Sequence, residues 1–315
     1  MQDSTSVSTS VDTTHMRLYR FAFSSMGCPC EIQLEAEEEA LATRAFESAS
    51  AEIERLDDKY SHYRSDNWLA RLCAGAGSGH AVDIDDETAN LLDFAATLHE
   101  QSGGLFDITA AALTRLWDGR RGRIPLNHEI ESARARVGWS RLEWRRPRLR
   151  MPVAGMRFDF GGIVKEYAAD RAAECCRTAG IGHGMVDLGG DLAVVGAHHD
   201  GKPWFAGIKM PSDPRRACAN IEISRGGLAT SGDYERVLVI AGKRYSHIVD
   251  PNNGWPIESF ASVSVIADSC LVAGAASTLA MMLGVREGAA YLHGLALPHL
   301  CIDQAGRPSG SIAVG

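Results

Sequence analysis

The chain has 315 residues, 45% of them hydrophobic, which is ample for a proper core in one large domain or two smaller ones. Its formal charge of -8 and the absence of any long Lys/Arg block exclude a broad nucleic-acid-binding face. Eight cysteines are too few for a disulfide scaffold of this size, and Cys28-Pro29-Cys30 and Cys175-Cys176 lack a second pair at zinc-ligand spacing, so a reducing compartment is expected.

Residues 1–16 have neither a basic start nor an apolar core and carry no lipobox cysteine. They read as a disordered polar tail rather than a secretory signal, which points to a cytoplasmic chain. No membrane span is expected, since even the run from Leu271 to Leu283 is short and holds Gly and Ser. Leu18 to Phe23 and Glu31 to Leu34 alternate apolar and polar residues, predicting a hairpin that turns near Met26-Gly27-Cys28-Pro29. Glu37 to Leu56 has the apolar spacing of an amphipathic helix. A polar loop, Asp58 to Ser65, leads on towards a second helix from Glu87 to Gln101, capped by Asp85 or Asp86 and stopped at Gly103-Gly104.

Between Arg120 and Arg150 the composition turns basic and Pro-rich, suggesting surface loops and a short hairpin. Phe158-Asp159-Phe160 then reads as a strand, Gly161-Gly162 as a turn and Ile163 to Ala179 as a helix. Met185 to Asp191 repeats the theme of a strand running into glycines. The last third alternates strands (Phe205 to Lys209, Asn220 to Ser224, Val237 to Ile240, Ala261 to Ile266) with one apolar helix from about Val272 to Leu283. Helices dominate early and strands late, so the fold class is α+β rather than doubly wound.

Several features carry chemistry. The segment Tyr245-Ser246-His247-Ile248-Val249-Asp250-Pro251 sets a histidine at a strand end before an Asp-Pro turn, where it is either a general base or a histidine satisfying a nearby carbonyl. Glycine pairs at 161–162, 189–190 and 226–227 let backbone approach a ligand, or simply make turns. Gly161-Gly162 is the most suggestive, because it opens a helix whose free N–H groups suit a phosphate and Lys165 follows one turn in. Asp107, Asp159, Asp187, Asp191, Asp233 and Asp250 all fall at strand ends or turns, mostly as turn formers or caps, and Asp159 stands out beside the glycine pair.

Taken in order, Met26-Gly27-Cys28, Tyr60-Ser61-His62-Tyr63-Arg64-Ser65, Ser102-Gly103-Gly104-Leu105-Phe106-Asp107-Ile108-Thr109 and Phe158-Asp159-Phe160-Gly161-Gly162-Ile163-Val164-Lys165-Glu166-Tyr167 are followed by Val186-Asp187-Leu188-Gly189-Gly190-Asp191, Ala229-Thr230-Ser231-Gly232-Asp233-Tyr234, the His247 segment and Ser277-Thr278. This series resembles the ApbE family of FAD:protein FMN transferases, from Arg17 to about Gly294. The resemblance implies a single ApbE-like, T-fold-related domain over residues 17–315, with mixed sheets and flanking helices. It implies an enzyme that takes FAD as substrate, uses Mg²⁺, and moves FMN onto a Thr or Ser hydroxyl of an acceptor flavoprotein with release of AMP. By the same resemblance Met26 and Tyr63 line the flavin or adenine sites, Leu105, Phe106 and Asp107 hold FAD, and Asp159 and Lys165 contact it. His247 matches the catalytic base, and Ile248 matches a flavin contact.

The metal site departs from the family pattern. There an Asp and a Thr at the start of the late helix bind Mg²⁺ together with a backbone carbonyl near the glycine turn. Here the stretch reads Ala273-Gly274-Ala275-Ala276-Ser277-Thr278, with glycine at the aspartate position. Gly162, Ser277 and Thr278 remain as oxygen donors, a weak set for an ion that prefers a carboxylate, or one that binds metal only together with FAD. A second departure is Val164-Lys165-Glu166 where Ala-Lys-Gly is common, and Glu166 reads as a solvated helix residue or else as a nearby carboxylate partly replacing the missing one. Competing readings are a relative that binds or hydrolyses FAD with impaired transfer, and a cofactor-free scaffold that kept only the fold.

Overall fold

The computed structural model describes residues 16–314 apart from 118–120, 234–236 and 241. The expected tail therefore lies outside the described residues except for Met16, as does Tyr234. β1 (Arg17–Ser25) and β2 (Cys28–Ala36) form the expected hairpin, joined by Met26-Gly27. Both turn residues have positive φ, 52° and 74°, as a type I′ turn demands. α1 (Glu39–Tyr60) buries Ala42, Ala45, Ala49, Ile53 and Leu56 at helical spacing. α2 (Trp68–Ala74) and β3 (Ala81–Asp83) follow, then α3 (Asp86–Gln101), where the Asp85 side chain accepts the Thr88 N–H and caps the helix.

α4 (Ala111–Thr114) runs into a 3₁₀ turn that ends at Trp117. The basic stretch holds a helix that composition did not reveal, α5 (Asn127–Arg134), and the expected hairpin of β4 (Glu143–Arg145) and β5 (Arg148–Arg150), to which β3 adds as a third strand. Phe158-Asp159-Phe160 is not a strand: Arg157 makes a single bridge to Ala110, and the alternation exists because both phenylalanines are buried in the core.

From there the order is α6 (Val164–Thr178), β6 (His183–Leu188), β7 (Asp191–Gly196), β8 (Trp204–Met210), β9 (Asp213–Ile223), β10 (Gly227–Gly232), β11 (Val237–Ile240), β12 (Lys243–Ser246), β13 (Ser262–Ala267), α7 (Cys270–Leu295), β14 (His299–Ile302) and β15 (Pro308–Gly310). Eight strands make the main sheet in the order β1-β2-β6-β7-β10-β13-β14-β15, every ladder antiparallel. α1, α6 and α7 cover one face with the main core. The β8–β9 ribbon covers the other, Trp204, Ile208 and Ile221 packing on Val194, Leu228 and Leu300. The α+β architecture is thus as expected.

α7 is longer than its sequence signal. It breaks at Gly284 (φ 82°), which hid the second half from a periodicity reading. By length and composition alone it could cross a membrane, yet half of its most apolar window is buried, and it packs on β10, β13 and α6. Its first turn is capped from α6: Asp170 accepts the N–H groups of Cys270 and Leu271, each at 2.9 Å.

An ion network ties α1 to α3. Arg55 bonds Glu52 at 2.8 Å and Glu87 at 2.6 Å, and Lys59 reaches Asp85 at 2.9 Å and Glu87 at 3.0 Å. Burial alone would raise the Glu87 carboxyl, but Arg55 and Lys59 outweigh it and hold it at about 2. A depressed carboxyl contributes stability that is full above its ordinary value of 4.5 and lost as pH falls towards 2. Glu87→Gln should therefore cost about 2 kcal/mol at pH 7, after allowance for solvent screening. In urea titrations the gap from wild type should shrink by about half by pH 3; a gap independent of pH would show that the network does not act through charge.

Candidate functional site

Among the expected residues, Phe106 lies against Gly162, Asp159 holds the Gly161 N–H, and Lys165 pairs with Asp191 at the start of β7. β6 and β7 join through Gly189-Gly190, with φ of 68° and 94°, so that Asp191 opens β7 opposite Leu188. β2 pairs with β6, Cys30 opposing Leu188, which brings the Met26-Gly27 turn alongside. Any side chain at 189 would meet Cys28 Cβ at 2.8 Å, so glycine is required there by space as well as by φ. Met26 is half-buried against the main core and holds a positive φ that a non-glycine residue adopts only under local constraint.

Asp191 is buried. Its Oδ1 accepts the Thr230 N–H at 3.1 Å and its Oδ2 takes the Lys165 ammonium at 2.7 Å. Lys165 lies in the first turn of α6, a helix whose start no side chain caps. Burial would lower its pKa, but Asp191 and Glu166 outweigh burial and raise it, so the ammonium stays charged. An ammonium has three donors, and Asp191 takes one of them, which leaves the group able to hold an anion at the start of α6, where the Val164 N–H is already given to Phe160 O at 2.9 Å.

Asp159 organises the glycine turn. Its Oδ1 accepts the Gly161 N–H at 2.8 Å and pairs with His62 Nδ1 at 2.9 Å, while Oδ2 accepts from Thr114 Oγ1 at 3.2 Å. Burial pushes this carboxyl up, yet His62 and the turn N–H bring it below its ordinary value. His62 lies 4.0 Å, ring to ring, from Tyr63, which is largely exposed. Phe106 is buried with its ring against Gly162, where a Cβ would meet it at 3.2 Å. Leu105 beside it is half-buried. The Asp107 carboxylate is already engaged, taking Thr109 N–H at 2.8 Å, Thr109 Oγ1 at 2.6 Å and Trp139 N–H at 2.9 Å. That side chain holds its own loop.

His247 is half-buried and comes directly after β12. Beyond it Ile248 packs on the main core and Val249 on a smaller one built round Trp117. Asp250 closes the next turn by accepting from Asn252 N–H at 2.8 Å and Asn253 Nδ2 at 2.6 Å. Trp117 Nε1 donates to Gly254 O at 2.9 Å, and its ring lies 5.5 Å from Tyr245, so the histidine segment is fixed on both sides.

On α7, Ser277 is fully buried and donates to the Gly274 carbonyl at 2.9 Å, while Ser231 Oγ lies 2.8 Å from Ser277 Oγ and 2.9 Å from Thr278 Oγ1. Ser277 is thus occupied within its helix, and half-buried Thr278 is the better donor. Among the described residues no three His, Cys, Asp or Glu side chains gather as a metal centre. One expectation is corrected: Glu166 is not a solvated helix residue but is 7% exposed, buried between α6 and α7 because Gly274 has no side chain to exclude it. Sequence reasoning also passed over His62, Thr114 and Ser231; the first and last stand inside quoted motifs, which was their only signal. A cavity of about 340 Å³ lined by Arg115, Arg136, Arg157 and His128 contains none of the expected site residues.

The sequence matches the ApbE family over residues 26–299. An FAD:protein FMN transferase of Vibrio cholerae is 31% identical over 256 residues, 79% of this chain and 76% of that protein. One of Klebsiella pneumoniae is 29% identical over 287 residues, 88% of this chain and 86% of its own. Among solved structures, the ApbE protein of Thermotoga maritima superposes with a TM-score of 0.85 at 28% identity, covering 94% of this chain and 97% of that one. The apo flavinyl transferase ApbE of Pseudomonas stutzeri gives a TM-score of 0.80 at 30% identity over 95% of each chain.

Proposed function

The chain belongs to the ApbE family and is a transferase, and from that premise we propose that it moves FMN from FAD onto a Thr or Ser hydroxyl of an acceptor flavoprotein. The observation that carries this reading is Lys165, held charged by Asp191 at the uncapped start of α6 with donors to spare. The acceptor hydroxyl attacks the phosphorus on the flavin side of the FAD pyrophosphate. The bond from that phosphorus to the bridging oxygen breaks, AMP departs with the oxygen, and His247 takes the hydroxyl proton. Lys165 and the N–H groups of α6 counter the phosphate charge. Asp159 shapes the Gly161-Gly162 turn that lets those groups approach, and Met26, Tyr63, Leu105, Phe106 and Ile248 frame the flavin and adenine.

Mg²⁺ is the second proposed requirement, and the residues fit it: a buried carboxylate oxygen with no hydrogen-bond partner, Glu166 Oε2, accompanies the neutral donors expected at Gly162 and Thr278. Bound there, the ion would neutralise charge on the pyrophosphate. The test is mass spectrometry of a Thr-bearing acceptor peptide with FAD and Mg²⁺ against an EDTA control. A metal-dependent gain of one FMN with equimolar AMP is expected. AMP without labelling would favour a hydrolysing relative, and FAD binding with neither product would favour one that only binds.

A further inference from the structure

Glu166 stands in the first turn of α6, facing Gly274 of α7. It is 7% exposed, and its Oε2 is buried without a hydrogen-bond partner. A carboxylate oxygen left so is costly unless a proton or a cation answers it. Its position is fixed by an absence on the facing helix. A Cβ built at Gly274 would lie 2.4 Å from Glu166 Cγ, 2.9 Å from Cδ and 3.0 Å from Oε1. The glutamate therefore occupies the very space that a side chain at 274 would fill. Thr278 lies four residues on, one helical turn away on the same face of α7.

The surrounding charge points the same way. Asp191 and Glu166 share the neighbourhood of Lys165, two carboxylates to one ammonium. Burial and Asp191 push the Glu166 carboxyl up to about 8 although Lys165 pulls it down, so the two carboxylates have one cation between them and room for a second positive partner. A divalent cation would supply that partner.

We propose that Glu166 is the carboxylate ligand of the divalent cation at this site, reaching from α6 into the space over Gly274 to stand where an aspartate on α7 would otherwise serve. The proposal rests on the flavin-transfer reading for the identity of the ion. Val164-Lys165-Glu166 and Gly274 are then two halves of one exchange, in which the carboxylate moves from one helix to the other and the site keeps its charge. Gly274 does not weaken the site; it makes room for the ligand.

The test measures Mg²⁺ affinity directly, by calorimetry with FAD present, on folded protein checked by circular dichroism. Glu166→Gln keeps the shape and removes the charge, and should weaken Mg²⁺ binding by at least the roughly 10–100-fold that loss of an outer-sphere partner costs. FAD affinity in EDTA should stay within a few-fold of wild type. Gly274→Asp alone should fail to improve binding, because its side chain meets Glu166. The double variant Glu166→Gly, Gly274→Asp should recover Mg²⁺ affinity to within a few-fold of wild type, a coupling that independent sites would not show. Equal Mg²⁺ affinity in wild type and Glu166→Gln, the outcome for an acid that is merely protonated and structural, would overturn the proposal, as would a wild type that binds no Mg²⁺ or a double variant no better than its parents. The two readings fail separately: Mg²⁺ affinity lost in Glu166→Gln, with no FMN transfer by any variant, removes the transferase reading and leaves the ligand in place.

Discussion

His247→Ala should lower FMN transfer by about 10²–10⁴-fold, the usual contribution of a well-aimed general base, while FAD binds as it does to wild type. The expectation follows from where the structure anchors the segment. Ile248 and Val249 are held in two cores, and the turn beyond them is closed by Asp250 and tied to Trp117. These anchors are made by residues on either side of His247, which is itself half-buried. The kinetic signature is a fall in kcat with an unchanged KM for FAD. If FAD affinity and melting temperature drop together with activity, His247 is a structural residue and the proton goes elsewhere.

A second large loss is expected from Lys165→Met, on the substrate side. Methionine fills similar space but strands Asp191, whose side chain is 3% exposed, beside a second carboxylate. Breaking such a pair from one end costs about 3 kcal/mol, because the remaining charge has no partner. The same change removes the ammonium that meets the pyrophosphate, so kcat/KM for FAD should fall by about two orders of magnitude. Urea unfolding and FAD titration separate the two effects. Lys165→Arg should regain most of the stability and less of the catalysis, since a planar fork cannot take the place of a compact point charge. Wild-type stability in Lys165→Met would mean that Asp191 does not depend on this lysine.

What could be read in the sequence was local. The Met26-Gly27 hairpin, the Asp85 cap and the glycine stop after α3 are each written within a few neighbouring residues, and the structure places them as read. The His247 segment and the Gly161-Gly162 turn were visible for the same reason. Pairings between distant positions were not. Nothing in the local pattern announces that Asp159 meets His62 and Thr114, or that Lys165 meets Asp191. Glu166 is the clearest case. A charged residue in the first turn of a helix is ordinarily solvated, and only the facing glycine, more than a hundred positions later, makes it a buried group. Phe158-Asp159-Phe160 misled in the opposite way, since its alternation comes from two buried rings rather than from a ladder.

Asp170 lies one helical turn beyond Glu166 and caps the first N–H groups of α7. That single carboxylate bolts together two helices that the chain reaches about a hundred residues apart. They therefore enter any encounter with substrate as one preassembled frame. Entropy that would otherwise oppose bringing Lys165, Glu166 and Thr278 into register is met during folding rather than at each turnover. The charged floor of the proposed site is then already in place when substrate arrives.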